Sequence, residues 1–497
     1  MTIRLQSLLL FLFLAPLAWA ASDELDEERR KLRDSDKQVR MAAVKRLAKR
    51  DEPEAWMLVL EALSDPTGEV ADSAQWALGE LDDPELLDEL RGKAGLRGKE
   101  PLLRERVAEI HGRLPGTVDA DLLRKALSDR EPTVRRALSA AIATRGADGV
   151  GGERAKLAQA LEKAAGKDKD GRAAGEALLA LAALDPDRAR AWWGAQKLPR
   201  LKVAVRCAAA RGAEALGLDA AALGTLAAGG EPPVRVEASD ALTRLGTAAA
   251  ARALVDLLEP ETEKRLALRI VDRLRELSGR KYGRDPRSWR DWADGLGADW
   301  SPASPAEGEA AGDEERDRSA ALVGLPILSE RVTFLIDFSG SMWNERDGGR
   351  TRKEEVDIQL RECLEALPES TRFNVIPYTA APIPWKKEQV PATSKNVKAA
   401  LEWFEGRKDR GTGNFWDAFL LALEDPEVDT VVMLGDGAPS GGVRYRVELL
   451  PELLYHENLG RAVVVDSILV DTKSKRIRST WEEIARRTGG QSLSVSL

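Results

Sequence analysis

From about Ser22 to Gly279 the chain repeats itself with a period of roughly 31 to 32 residues, and nothing else in it restricts the fold as much. The clearest copies are DKQVRMAAVKRLA, GEVADSAQWALGEL, PTVRRALSAAIATRG, LKVAVRCAAARG and PPVRVEASDALTRLG, anchored on Val39, Val70, Val134, Val203 and Val234. Weaker copies around Leu103, Arg172 and Leu266 fill the gaps and bring the array to about eight units. Small and apolar residues recur at i, i+3 and i+4, so each copy reads as helix. Asp65-Pro66, Asp83-Pro84, Glu131-Pro132 and Asp185-Pro186 break the pattern where turns belong. One such unit cannot bury its apolar face alone, so the units must stack.

The DxxVRxxAxxAL spacing resembles HEAT repeats of the short, phycobilisome-lyase-like type. The resemblance implies an all-α solenoid over 21–300, whose usual use is to bind protein; a spacer role is the alternative. Trp289 and Trp292, three apart after Asp285-Pro286, read as a hydrophobic lid on the last unit. The array is nearly neutral, and the basic run Lys45 to Arg50 reads as a solvated helix face.

Charge and composition narrow the function. With 75 Lys+Arg against 83 Asp+Glu the net charge is −8, which argues against a dedicated nucleic-acid binder. The 2 histidines and 2 cysteines (Cys207, Cys363) cannot build a His/Cys zinc site, and the thiols read as buried and inert. Any metal must be held by oxygen. Residues 1–20 place Arg4 before an apolar run that ends in Ala18-Trp19-Ala20, which predicts a cleaved signal peptide and a secreted or periplasmic (cell envelope) protein; a retained anchor is the alternative. No later segment approaches a membrane span.

After an acidic linker rich in Ser, Pro and Ala at 301–320, the composition changes to RVTFLIDFSGSMW. Apolar, β-branched runs at Val332 to Ile336, Phe373 to Tyr378, Thr430 to Asp436 and Ala462 to Val470 alternate with helical patterns at Lys353 to Leu367, Lys395 to Glu405, Phe415 to Leu423, Tyr445 to Glu457 and Arg478 to Arg487. That alternation predicts an α/β doubly wound, mostly parallel sheet over 321–497, with ligands bound beyond the carboxyl ends of its strands. Asp337 and Asp436 both stand at such ends.

The D-x-S-G-S-M run at a strand end resembles the von Willebrand factor type A fold, known also from integrin I domains. The resemblance implies a metal-ion-dependent adhesion site for Mg2+ (or Mn2+/Ca2+), drawing on Asp337, Ser339 and Ser341 in the first loop and Asp436 in the third. Hydroxyl and carboxylate oxygens suit a hard octahedral ion. The second loop departs from the family's G-G-T-N-x-x-D-A. Here Gly411-Thr412-Gly413-Asn414-Phe415-Trp416-Asp417-Ala418 puts Gly413 at the threonine position, with Thr412 one residue early. Either the loop shifts so that Thr412 reaches the ion, or water fills the position.

Ser339 or Ser341 as a nucleophile would need a base, and neither histidine is placed for it. Neither a G-x-S-x-G elbow nor a G-x-x-x-x-G-K-[ST] loop occurs. The sequence therefore reads as an exported, non-enzymatic adhesion scaffold. Its A-like domain would take an acidic side chain of a protein ligand on the metal, and its solenoid would offer a second protein-binding surface. The alternatives are a structural envelope protein with a degenerate metal site and a metal-assisted hydrolase.

Overall fold

The computed structural model describes residues 24–80, 88–90, 92, 95–302, 319–345 and 349–496. The signal segment expected at 1–20 and most of the linker expected at 301–320 lie outside the described residues. The repeat pattern becomes two rows of helices. One row, stacked helix on helix, comprises α1 (Lys37–Leu47), α2 (Gly68–Leu78), α3 (Pro101–Arg113), α4 (Pro132–Arg145), α5 (Gly171–Leu184), α6 (Val203–Arg211), α7 (Pro232–Leu245) and α8 (Lys264–Ser278). These stand for the eight expected units. Helices such as Arg154–Lys167 and Ala248–Leu258 form the second row.

A repeated arginine staples neighbouring units. Arg40, Arg104 and Arg206 each donate to an acid 25 residues ahead, Asp65, Asp129 and Glu231, at 2.8, 2.7 and 2.5 Å. Arg235 does the same to Glu261, 26 residues ahead. In each case the arginine lies four residues after the helix N-cap (Asp36, Glu100, Lys202, Glu231). The copy LKVAVRCAAARG is therefore in register on Val205, which precedes Arg206, and not on Val203. At the far end Trp289 is fully buried and packs edge-on against Tyr282 and Trp292, and Trp292 against Trp300, as expected of a cap.

The second half builds the expected α/β layers on a six-stranded sheet. Its strands are β1 (Arg331–Asp337), β2 (Arg372–Tyr378), β3 (Val390–Pro391), β4 (Thr430–Gly435), β5 (Val464–Val470) and β6 (Ser492–Val495), ordered β6-β5-β4-β1-β2-β3. All pairs are parallel except β2–β3. Side chains alternate across the sheet, as a two-residue period requires. Phe334, Ile336, Val432 and Leu434 join the core under α9 (Arg352–Ala366) and α10 (Ser394–Glu405). Leu335, Val431 and Met433 join the core under α11 (Phe415–Ala422), α12 (Leu450–Glu457) and α13 (Lys475–Thr488). Strand β6 and the short β3 escaped the sequence reading, because SLSV and VP carry too little apolar signal to distinguish an edge strand from a loop.

The sequence reads as two domains joined by a linker, with the solenoid offering its surface to a second protein; in the structure one face of it, the first-row face, is occupied. The structure instead packs the sheet domain against that face. Arg444, 1% exposed, donates to Glu105 at 2.6 Å, Glu109 at 2.7 Å and Gln75 at 3.1 Å. Asp72, fully buried, pairs with Arg106 and accepts the backbone N–H groups of Tyr445 (2.6 Å) and Arg446 (2.9 Å). His456 stands 2.8 Å from Glu176. Glu457 accepts from Arg136 at 3.0 Å and also pairs with Arg172, Arg211 donates to the Tyr455 carbonyl, and Arg269 to that of Thr488. Leu459 joins the solenoid's own core. These partners lie hundreds of residues apart, and each half taken alone reads as ordinary surface charge, so no local pattern announced them.

Candidate metal centre

Strand β1 ends on Asp337, which the buried run before it delivers to the carboxyl edge of the sheet, 3% exposed. Its Oδ1 accepts the Ser339 backbone N–H at 2.7 Å, which turns the chain into the short 3-10 turn Gly340–Trp343. The turn brings the Ser339 and Ser341 hydroxyls within 3.2 Å of each other. Ser341 Oγ donates to Asp436 Oδ2 at 2.9 Å across from the end of β4. Four of the five expected residues (Asp337, Ser339, Ser341 and Asp436) thus form one continuous set of oxygens.

Neighbouring groups hold this set in place. Arg352, bonded to Asp471, donates to the Ser341 carbonyl at 2.8 Å. Thr472 donates to the Asp436 carbonyl at 2.7 Å, and Trp481 Nε1 to that of Gly437 at 2.8 Å. Gly435 permits the approach of β4, since a Cβ there would lie 2.6 Å from Asp337 Cβ. Burial, reinforced by the Asp436 charge, pushes the Asp337 carboxyl up to about 7. Among the described residues no cationic side chain bonds these two carboxylates, and a cation between them would offset both the burial and the repulsion.

The second loop is held beside them. Gly340 N–H donates to the Gly411 carbonyl at 3.1 Å, and Asn414 N–H to that of Thr379 at 2.8 Å. The Thr412 hydroxyl lies against Gly441, where a Cβ would overlap it, and among the described residues it makes no hydrogen bond to Asp337, Ser339, Ser341 or Asp436. Gly413 does face the site: a Cβ there would sit 3.4 and 3.5 Å from the two Asp337 oxygens. The nearest hydroxyl to that point is Ser440 Oγ, 3.4 Å away, which accepts the Gly413 N–H at 2.7 Å.

Among the described residues no three His, Cys, Asp or Glu converge as a cation cage. This centre has two acids, and the rest of its donors are hydroxyls.

Residues 27–110 match the family model described as HEAT repeats. The bovine inter-alpha-trypsin inhibitor heavy chain H3 is 32% identical over 152 residues, 28% of this chain and 16% of that protein. The human heavy chain H4 is 30% identical over 131 residues, 24% of this chain and 13% of that one. A von Willebrand factor type A protein from Catenulispora acidiphila is similar in structure at TM-score 0.28 and 18% identity, over 34% of this chain and 39% of that one. The complex of CpcE and CpcF of phycocyanin lyase from Nostoc sp. PCC7120 is similar at TM-score 0.25 and 22% identity, over 50% and 93%. The chain joins HEAT-like repeats to a von Willebrand A-like domain. It spans less than a fifth of the length of the heavy chains it matches. No helix among the described residues is long and apolar enough to cross a membrane.

The residues that sequence reading missed around the von Willebrand A-like centre are Ser440, Arg352 and Gly435. Only Ser440 carried a signal, as the lone hydroxyl of DGAPSGG, between Pro439 and Gly441.

Proposed function

We propose that the chain is an exported, non-enzymatic protein-binding scaffold whose A-like domain holds Mg2+ or Mn2+ and presents it to an acidic side chain of a protein ligand. The observation that carries this reading is the convergence of Asp337, Ser339, Ser341 and Asp436 at the carboxyl ends of β1 and β4. These oxygens fit a hard ion that keeps several waters. Two carboxylates leave a divalent ion with little spare negative charge around it, so it retains affinity for an acid from outside. In this reading Asp337 and Asp436 hold the ion and its waters, and the hydrolase alternative would require one of them to act as a general base instead. The leader-like segment at 1–20 supports export, to the envelope or beyond. Because the first-row face of the solenoid already carries the chain's own A-like domain, its role in this reading is to hold and orient that domain.

The test uses Mn2+ as a probe. Mn2+ bound to the full chain enhances water-proton relaxation through its retained waters. A short aspartate-containing peptide should lower that enhancement by displacing one of them, and the asparagine version should not. Equal behaviour of the two peptides would remove the carboxylate-capture mechanism.

A further inference from the structure

We propose that Ser440 supplies the hydroxyl ligand that the second loop lacks, so that the centre takes its third hydroxyl from the third loop. This rests on the cation reading of the centre.

Three observations carry it. The Gly413 position points into the centre, as its would-be Cβ 3.4 Å from Asp337 Oδ1 shows, yet it brings no side chain. Ser440 Oγ stands 3.4 Å from that same point. The two loops are zipped together there, Gly413 N–H donating to Ser440 Oγ at 2.7 Å and Ser440 N–H donating to the Gly413 carbonyl at 3.1 Å. A hydroxyl that accepts one N–H keeps a second lone pair for a cation and its own proton for a neighbouring carboxylate.

The glycines explain why the exchange is self-consistent. A side chain at 413 would compete with Ser440 for the same space. A side chain at 441 would collide with Thr412, and one at 442 with the Asn414 amide. Gly442 also has φ +91, a backbone state that other residues adopt only under strain. Thr412 is thus a packing residue between the loops, and the departure from the family's threonine is compensated by a serine 27 positions on.

The third loop is also fixed from outside. Four residues beyond Ser440, Arg444 is seated among Glu105, Glu109 and Gln75 of the solenoid. A Cβ on Gly68 of α2 would run into the Gly442 carbonyl. The solenoid therefore holds the segment that presents the hydroxyl.

Calorimetry of the full-length chain with Mg2+ and with Mn2+ tests this, with thermal melting of each variant to check folding. Ser440→Ala should weaken affinity at least about tenfold, and Thr412→Ala should leave it within about twofold. Adding Gly413→Thr to Ser440→Ala moves the hydroxyl to the family's position, and affinity should return to within about threefold of the parent. This last arm keeps the test decisive should the single variant bind poorly because its loop is loosened. Undiminished affinity in Ser440→Ala, with binding abolished in Asp337→Ala, would overturn the Ser440 assignment and leave the cation reading standing. Loss of affinity in Thr412→Ala with none in Ser440→Ala would return the role to Thr412. A parent chain that binds neither ion would overturn both readings.

Discussion

Replacing Arg444 by Ala removes a guanidinium that is 1% exposed and bonded to two carboxylates and an amide of the other half of the chain. Burial already pushes the Glu109 carboxyl up, and Arg444 is the strongest influence pulling it back. Without it, Glu105 and Glu109 face each other with their principal counter-charge gone. A charge pair at about 4 Å with an effective dielectric near 20 is worth about 4 kcal/mol, and removing one partner of a buried pair costs about 3–5 kcal/mol by mutation. The two scales agree. The cost falls on the docking of the halves, because the sheet's two cores contain neither Arg444 nor its partners. A loss of about 3–5 kcal/mol lowers the docking constant by roughly two to three and a half decades. Hydrogen exchange at 440–446 should accelerate accordingly, and small-angle scattering should report a larger radius of gyration. Arg476→Ala is the control: it removes the same charge from a side chain 65% exposed and paired with Glu448, and should cost less than about 1 kcal/mol. Wild-type exchange at 440–446 in Arg444→Ala would refute the reasoning.

Other consequences follow from the same contacts. Burial alone would lower the His456 pKa, but the Glu176 charge and the hydrogen bonds to Glu176 and Glu452 outweigh it and raise the pKa from 6.5 to about 10. The histidine's contribution is thus complete below pH 6.5 and lost as pH rises toward 10; melting temperature should fall over that window, and His456→Phe should flatten the profile. Arg40→Ala should destabilise the solenoid by about 2–4 kcal/mol in urea, since the side chain bonds Asp65, Thr67 and the Asp34 and Ser35 carbonyls; exposed Arg130→Ala should stay within about 0.5 kcal/mol. Gly435→Ala should lower the melting temperature of the A-like domain and its Mg2+ affinity together, because its new Cβ would displace Asp337; an unchanged affinity would show that β4 yields instead.

Patterns local in sequence were legible. Eight units, the Trp289 cap, the four long strands and the D-x-S-G-S oxygens follow from helix periodicity, β-branched runs and one strand-end motif. Strand β6 was not legible, because SLSV alternates over four residues with only two apolar side chains, too little to distinguish an edge strand from a loop. Nor was the seating of Arg444, since an arginine in a loop is ordinary until three-dimensional packing surrounds it with Glu105 and Glu109. Ser440 escaped for a related reason. Reading by alignment looks for a donor at the expected position, whereas space near Asp337 can be filled from any loop that reaches it. Gly413 marked the gap, and the filling lay on another strand's end.

The most direct test of the central claim is calorimetric titration of the full-length chain with Mg2+, beside Asp337→Ala. One saturable site is expected in the parent chain and none in the variant, with the variant's circular dichroism unchanged because Asp337, though buried, is the last residue of β1 and is not part of the apolar core. No heat of binding in the parent chain at millimolar Mg2+, or equal binding by the variant, would contradict it.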